Sequence, residues 1–99
     1  EQKPILSIDE LEVEYYIRMT VTDRPGVLAG IAGVFGNNDV SIATVLQKSS
    51  DENRAELIMI THRVREKGLR DALSVLSGMS IVGEINSVIR LEGTQRVTA

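Results

Sequence analysis

Cysteine and tryptophan are absent from the chain. Disulfides, thiolate metal ligands and thiol catalysis are therefore excluded. The single histidine, His62, leaves no second imidazole for a multi-histidine metal site. Tyr15, Tyr16 and Phe35 are the only aromatics, a thin supply for stacking single-stranded nucleic acid. Eleven basic and 14 acidic residues give a net charge of −3, without the basic surplus of a nucleic-acid binder. The longest unbroken apolar run is Leu57-Ile58-Met59-Ile60. It falls far short of the roughly 20 residues that span a bilayer, so neither nucleic acid nor membrane is an expected partner. No signal peptide is visible, and the expected location is the cytoplasm.

What is present suits one folded domain. The chain has 99 residues, 42% hydrophobic and 25% charged, enough for a modest core. Residues 1–14 read as a polar, acidic linker with Asp9, Glu10, Glu12 and Glu14, and room for one packed turn around Ile8 and Leu11. From Tyr15 the pattern alternates: Tyr15, Ile17, Met19 and Val21 point one way, and Tyr16, Arg18, Thr20 and Thr22 the other. That predicts a half-buried strand. Asp23-Arg24-Pro25-Gly26 ends it, with Pro25 suited to the first position of a helix. Val27, Leu28, Ile31, Val34 and Phe35 then form one helical stripe. Ala29, Gly30, Ala32 and Gly33 are small; they serve either close backbone approach, to the sheet or another subunit, or nothing beyond tolerance in a packed helix.

Residues 40–48 form a second predicted strand, with Val40, Ile42, Thr44 and Leu46 on one face. A polar turn at 49–53, including Asp51 and Glu52, leads to a third strand over 54–63. Its apolar run predicts a central strand with both faces covered. Leu69, Ala72, Leu73 and Leu76 mark a second helix, closed by Gly78. Residues 81–91 supply a fourth strand, with Ile85, Ser87, Ile89 and Leu91 on one face, and 93–99 a polar tail. The order β-α-β-β-α-β predicts an α+β, ferredoxin-like sandwich: a four-stranded antiparallel sheet, spatial order 2-3-1-4, with both helices on one face. Such a fold fixes no function by itself.

No nucleophile motif, phosphate loop or metal spacing accompanies these elements, so no catalytic residue is assigned and the chain alone is not expected to be an enzyme. His62 reads as a strand-end residue. The informative segment is Asp23-Arg24-Pro25-Gly26-Val27-Leu28. A helix start offers unpaired N–H groups and a positive dipole end, where a carboxylate can bind. Asp23 could accept bonds from an ammonium group, and Gly26 would admit a ligand close to the backbone. Two readings stand: a site for the charged ends of a free α-amino acid, or a helix cap at Asp23 and a turn glycine at Gly26.

With this turn, Phe35, Val40-Ser41-Ile42 and the element order, residues 15–92 resemble the ACT domain family, regulatory modules that bind amino acids and associate side by side. The stretches Tyr15-Tyr16-Ile17-Arg18, Ile42-Ala43-Thr44-Val45-Leu46-Gln47-Lys48, Ile60-Thr61-His62 and Val88-Ile89-Arg90-Leu91-Glu92-Gly93 further resemble the C-terminal ACT domain of the homoserine dehydrogenase family. That resemblance implies an upstream region, before Glu1, that reduces aspartate semialdehyde with NAD(P); no cofactor is expected on this chain. It implies an effector, L-threonine first, at Asp23, Arg24, Pro25, Gly26, Val27 and Leu28. Ser41 is implied opposite that turn, often from a neighbouring subunit of a homo-oligomer. Gln47 matches a glutamine used by related aspartate kinase domains. An assembly-only module without a ligand, or a domain of another enzyme such as an alarmone synthetase, are the alternatives.

Overall fold

The computed structural model describes residues 12–50 and 52–91. The suggested turn at Ile8 and Leu11, Asp51 and the tail at 93–99 lie outside them. Six strands and two helices run in the order β1 (Glu12–Val13), β2 (Tyr15–Thr22), α1 (Val27–Asn37), β3 (Ile42–Ser49), β4 (Arg54–Thr61), β5 (Val64–Arg65), α2 (Glu66–Ser77) and β6 (Val82–Arg90). The four long strands form one antiparallel sheet ordered β3-β4-β2-β6. This is the expected 2-3-1-4 arrangement of a ferredoxin-like fold.

Alternation explains the core. On β2, Tyr15, Ile17, Met19 and Val21 are buried; on β4, Ala55, Leu57, Met59 and Thr61 are. Val27, Ile31 and Phe35 of α1 and Leu69, Ala72 and Leu76 of α2 cover them. Burying one such large apolar side chain contributes about 1.5–3 kcal/mol. Thr61 is the one buried polar residue among those described. Its hydroxyl accepts from the Tyr15 N–H at 3.0 Å and donates to the His62 carbonyl at 2.6 Å. Backbone approaches closely at Gly68 of α2, where an added Cβ would lie 2.6 Å from the carbonyl oxygen of Asn38, the residue that caps the end of α1.

Several local expectations are corrected. The third strand stops at Thr61, and Val64–Arg65 pairs instead with Glu12–Val13 in a separate two-stranded ribbon. Residues 12 and 13, at the end of the expected linker, thus form one strand of that ribbon. On β3 a bulge falls between Ile42 and Thr44: Ile42 faces Thr61, and Thr44 faces Ile60. One extra residue, Ala43, switches the side-chain faces, so Ile42 and Leu46 lie on opposite sides. A register shift between Arg18 and Met19 in the β2–β6 pairing leaves Asn86 over. It separates Ile85, on the helix side, from Ser87 and Ile89. The Leu57-Ile58-Met59-Ile60 run sits in a central strand, but only Leu57 and Met59 are buried; Ile58 and Ile60 lie half-buried on the face without helices. Gly30 and Gly33 make no close approach to the sheet. The nearest atom to a Cβ at Gly30 is Ile81 Cδ1 at 3.8 Å, and at Gly33 there is nothing within 4 Å.

Candidate functional site

The step from β2 to α1 is a type II turn. The Val27 N–H donates to the Arg24 carbonyl at 3.2 Å. Pro25 and Gly26 are the two central residues, and Gly26 has φ 87° and ψ −13°. Proline at the first and glycine at the second central position is what that turn requires. Pro25 thus precedes the helix, which begins at Val27 with Gly26 as its cap. Gly26 is needed for its positive φ, since a Cβ there would meet nothing within 4 Å.

Asp23 does not cap α1: no side chain does. Its N–H donates to the Asn53 carbonyl at 2.8 Å, which ties the turn to the β3–β4 hairpin. Its carboxylate instead accepts from Gln47 Nε2 at 3.4 Å. In the first turn, Val27 bonds back to Arg24 and Gly30 to Gly26. The N–H groups of Leu28 and Ala29 have no backbone acceptor among the described residues. Unpaired N–H groups at the positive end of a helix suit a carboxylate, and an aspartate beside them suits an ammonium.

The turn and the first residues of α1 border an open cavity of ≈ 350 Å³. Asp23, Arg24, Pro25, Gly26, Val27, Leu28 and Gln47 all line it. That volume is at the low end of the ~300–1,000 Å³ usual for small-molecule sites. Val21, Thr22 and Leu57 complete the wall and were not singled out in the sequence. Leu57 enters because it is paired with Gln47 across β3 and β4. Only the strand register could have revealed it.

Ser41 is not brought to this cavity. It precedes β3, and its carbonyl accepts from the His62 N–H at 2.8 Å. Gln47 lies six residues further on, about 20 Å away along an extended strand. Within one chain, Ser41 and the turn occupy opposite ends of β3. His62 is exposed beyond the end of β4.

A larger cavity, ≈ 540 Å³, lies at the other end of the helices, among Asn38, Asp39, Arg63, Arg65, Lys67 and their neighbours. Its basic side chains are answered within the chain: Arg65 by Glu12 at 4.0 Å, Lys67 by Asp71 at 2.7 Å, and Arg63 by the Glu12 carbonyl at 3.5 Å. The turn cavity, with unpaired N–H groups, is the better candidate despite its smaller size. Among the described residues no cluster of three His, Asp or Glu could hold a metal ion. No helix among the described residues is long and apolar enough to cross a membrane.

Residues 15–78 match the family model of the ACT domain, and the chain belongs to the ACT domain family. Its relatives include homoserine dehydrogenases. The chain is 37% identical over 98 residues to the homoserine dehydrogenase of Mycobacterium tuberculosis (strain ATCC 25618 / H37Rv), covering 94% of this chain and 22% of the relative. Against the Corynebacterium glutamicum homoserine dehydrogenase it is 39% identical over 89 residues, 90% of this chain and 20% of the relative. The crystal structure of a homoserine dehydrogenase from Thiobacillus denitrificans superposes with a TM-score of 0.76 at 28% identity, over 91% of this chain and 20% of that one. The chain thus spans about a fifth of the length of the relatives it matches, in their C-terminal part.

Proposed function

We propose that this chain is the effector-sensing regulatory domain of a homoserine dehydrogenase-like protein, and that a free α-amino acid, L-threonine first, binds in the cavity beside the 23–28 turn. The observation that carries this reading is the pairing of unlike charge partners in one open cavity. The first-turn N–H groups of Leu28 and Ala29 can receive the carboxylate. Asp23, bridged to Gln47 at 3.4 Å, can receive the ammonium. Thr22 and Gln47 in the wall suit a small hydroxylated side chain.

Ser41 joins such a site only from a second copy. β3 is the outer strand of the sheet and is exposed over seven of its eight residues, so it offers an unpaired edge for side-by-side association. In the proposed mechanism the effector stabilises one packing of paired domains over another. The bias reaches an upstream catalytic region through the segment before Tyr15. It must prefer one packing by about 1–3 kcal/mol, the usual scale of allosteric coupling. In this reading NAD(P) and the groups that reduce aspartate semialdehyde are those of that upstream region. The test is a panel of amino acids assayed by thermal shift. Threonine at about 100 Kd should add ~2.7 kcal/mol of stability, and other amino acids should add less.

One other reading has a specific observation behind it. The exposed β3, with Leu46 at 58% and Val45 at 41% exposure, also suits a module whose whole task is pairing. No amino acid would then shift the melting temperature, while Val45→Lys would still weaken self-association.

A further inference from the structure

One face of the sheet carries no helix, and its side chains are unevenly distributed. Tyr16 stands between Ile60 of β4 and Ile89 of β6, and Ile58 is paired with Leu46 of β3. These five form a continuous apolar half-face. Leu46 is 58% exposed and Ile89 50%, and the other three are half-buried, with no helix over them among the described residues. The opposite half is polar. Arg18 pairs with Glu56 at 3.0 Å, and the Thr20 hydroxyl donates to Asn86 Oδ1 at 3.1 Å. Contiguous exposed apolar surface of this kind marks a docking site. The unbroken Leu57–Ile60 run is, moreover, the composition of a strand covered on both faces.

The apolar half lies at the end of the sheet where the chain enters and leaves. Tyr16 is two residues after Glu14, and the Leu91 N–H donates to the Glu14 carbonyl at 2.8 Å. We propose that this half-face is the seat of the preceding part of the polypeptide: an apolar surface of the upstream catalytic region packs on Tyr16, Leu46, Ile58, Ile60 and Ile89. The inference rests on the reading of the chain as the C-terminal domain of a homoserine dehydrogenase-like protein. Such a protein is about five times longer than the matched segment, so most of it precedes the domain and arrives at this end. A second copy of the chain is the weaker occupant, because the edge of β3 already offers a pairing surface that leaves most of this face uncovered. Docked here, the upstream region would feel any change in the packing of β3 through Leu46 and Ile58.

Photo-crosslinking in the full-length polypeptide tests this, with benzoylphenylalanine placed at Ile89 or, as a control, at Ser74 on the exposed side of α2. A mixture of light and heavy isotope-labelled protein separates links within one polypeptide from links between two. Ile89 should crosslink within its own polypeptide to peptides that precede Glu1, at least tenfold more than Ser74 does. Links from Ile89 to residues 12–91 of a second copy, no links, or equal yields from the two positions would overturn the proposal. No amino acid is added, so a domain that fails to bind threonine leaves this result unaffected, and titration calorimetry reports that failure separately.

Discussion

Gln47 Nε2 lies 3.4 Å from Asp23 Oδ1, joining the outer strand of the sheet to the turn that opens the first helix. The contact is long and exposed, so it adds little to stability. Its importance is positional: it brings a carboxylate and an amide together over a cavity whose other wall is a helix N-terminus.

Asp23→Ala should therefore separate binding from folding. Asp23 makes no cap bond to α1, so stability should change by no more than about 0.5 kcal/mol, as for an ordinary surface substitution. Calorimetric heat with L-threonine should disappear while the melting curve stays in place. Equal affinity in both proteins would remove Asp23 from the site.

Gly26→Ala should destabilise the domain through the backbone alone. At φ 87° an L side chain costs about 1–2 kcal/mol, whereas the added methyl meets no atom within 4 Å. Urea denaturation should show a lower midpoint with an unchanged slope. An unaltered midpoint would mean that the turn relaxes to another type without loss.

Two further glycines should respond in opposite directions. Gly68→Ala places a Cβ 2.6 Å from the Asn38 carbonyl, and displacing that backbone should cost about 1–3 kcal/mol. Gly33→Ala sits on an exposed helical position with open space, and should gain about 0.5–1 kcal/mol from helix propensity. Thermal melting of the two variants checks the pair. A loss at Gly33 would point to a partner on that helix face.

Val45→Lys addresses the outer strand. Val45 is 41% exposed on the helix side of β3, where no helix of the same chain covers it. Sedimentation velocity should show self-association weakened by at least about tenfold, equivalent to 1.4 kcal/mol. Unchanged association would move the pairing surface away from β3.

Much of the fold is legible in the sequence. Alternation in residues 15–22 and the stripe Leu69, Ala72, Leu76 predicted the right elements, because burial on one face imposes those periods. The bulges at Ala43 and Asn86 are not, since alternation in the sequence runs straight through both and only the partner strand exposes the extra residue. Pro25-Gly26 marked a turn, yet its type and the later helix start depend on the φ of Gly26. The crowding at Gly68 is not legible in the sequence because it comes from Asn38, 30 positions away. At the site, the turn and Gln47 share one cavity, while Ser41 lies at the far end of β3, where only a second chain could return it to the turn.

The most direct measurement is a crystal structure of the domain grown in saturating L-threonine. The ligand should occupy the cavity at residues 23–28, its carboxylate on the N–H groups of Leu28 and Ala29 and its ammonium within hydrogen-bond reach of Asp23. A clear map in which Gln47 and Asp23 keep their contact and threonine is absent from that corner would contradict the assignment of the turn as a sensor.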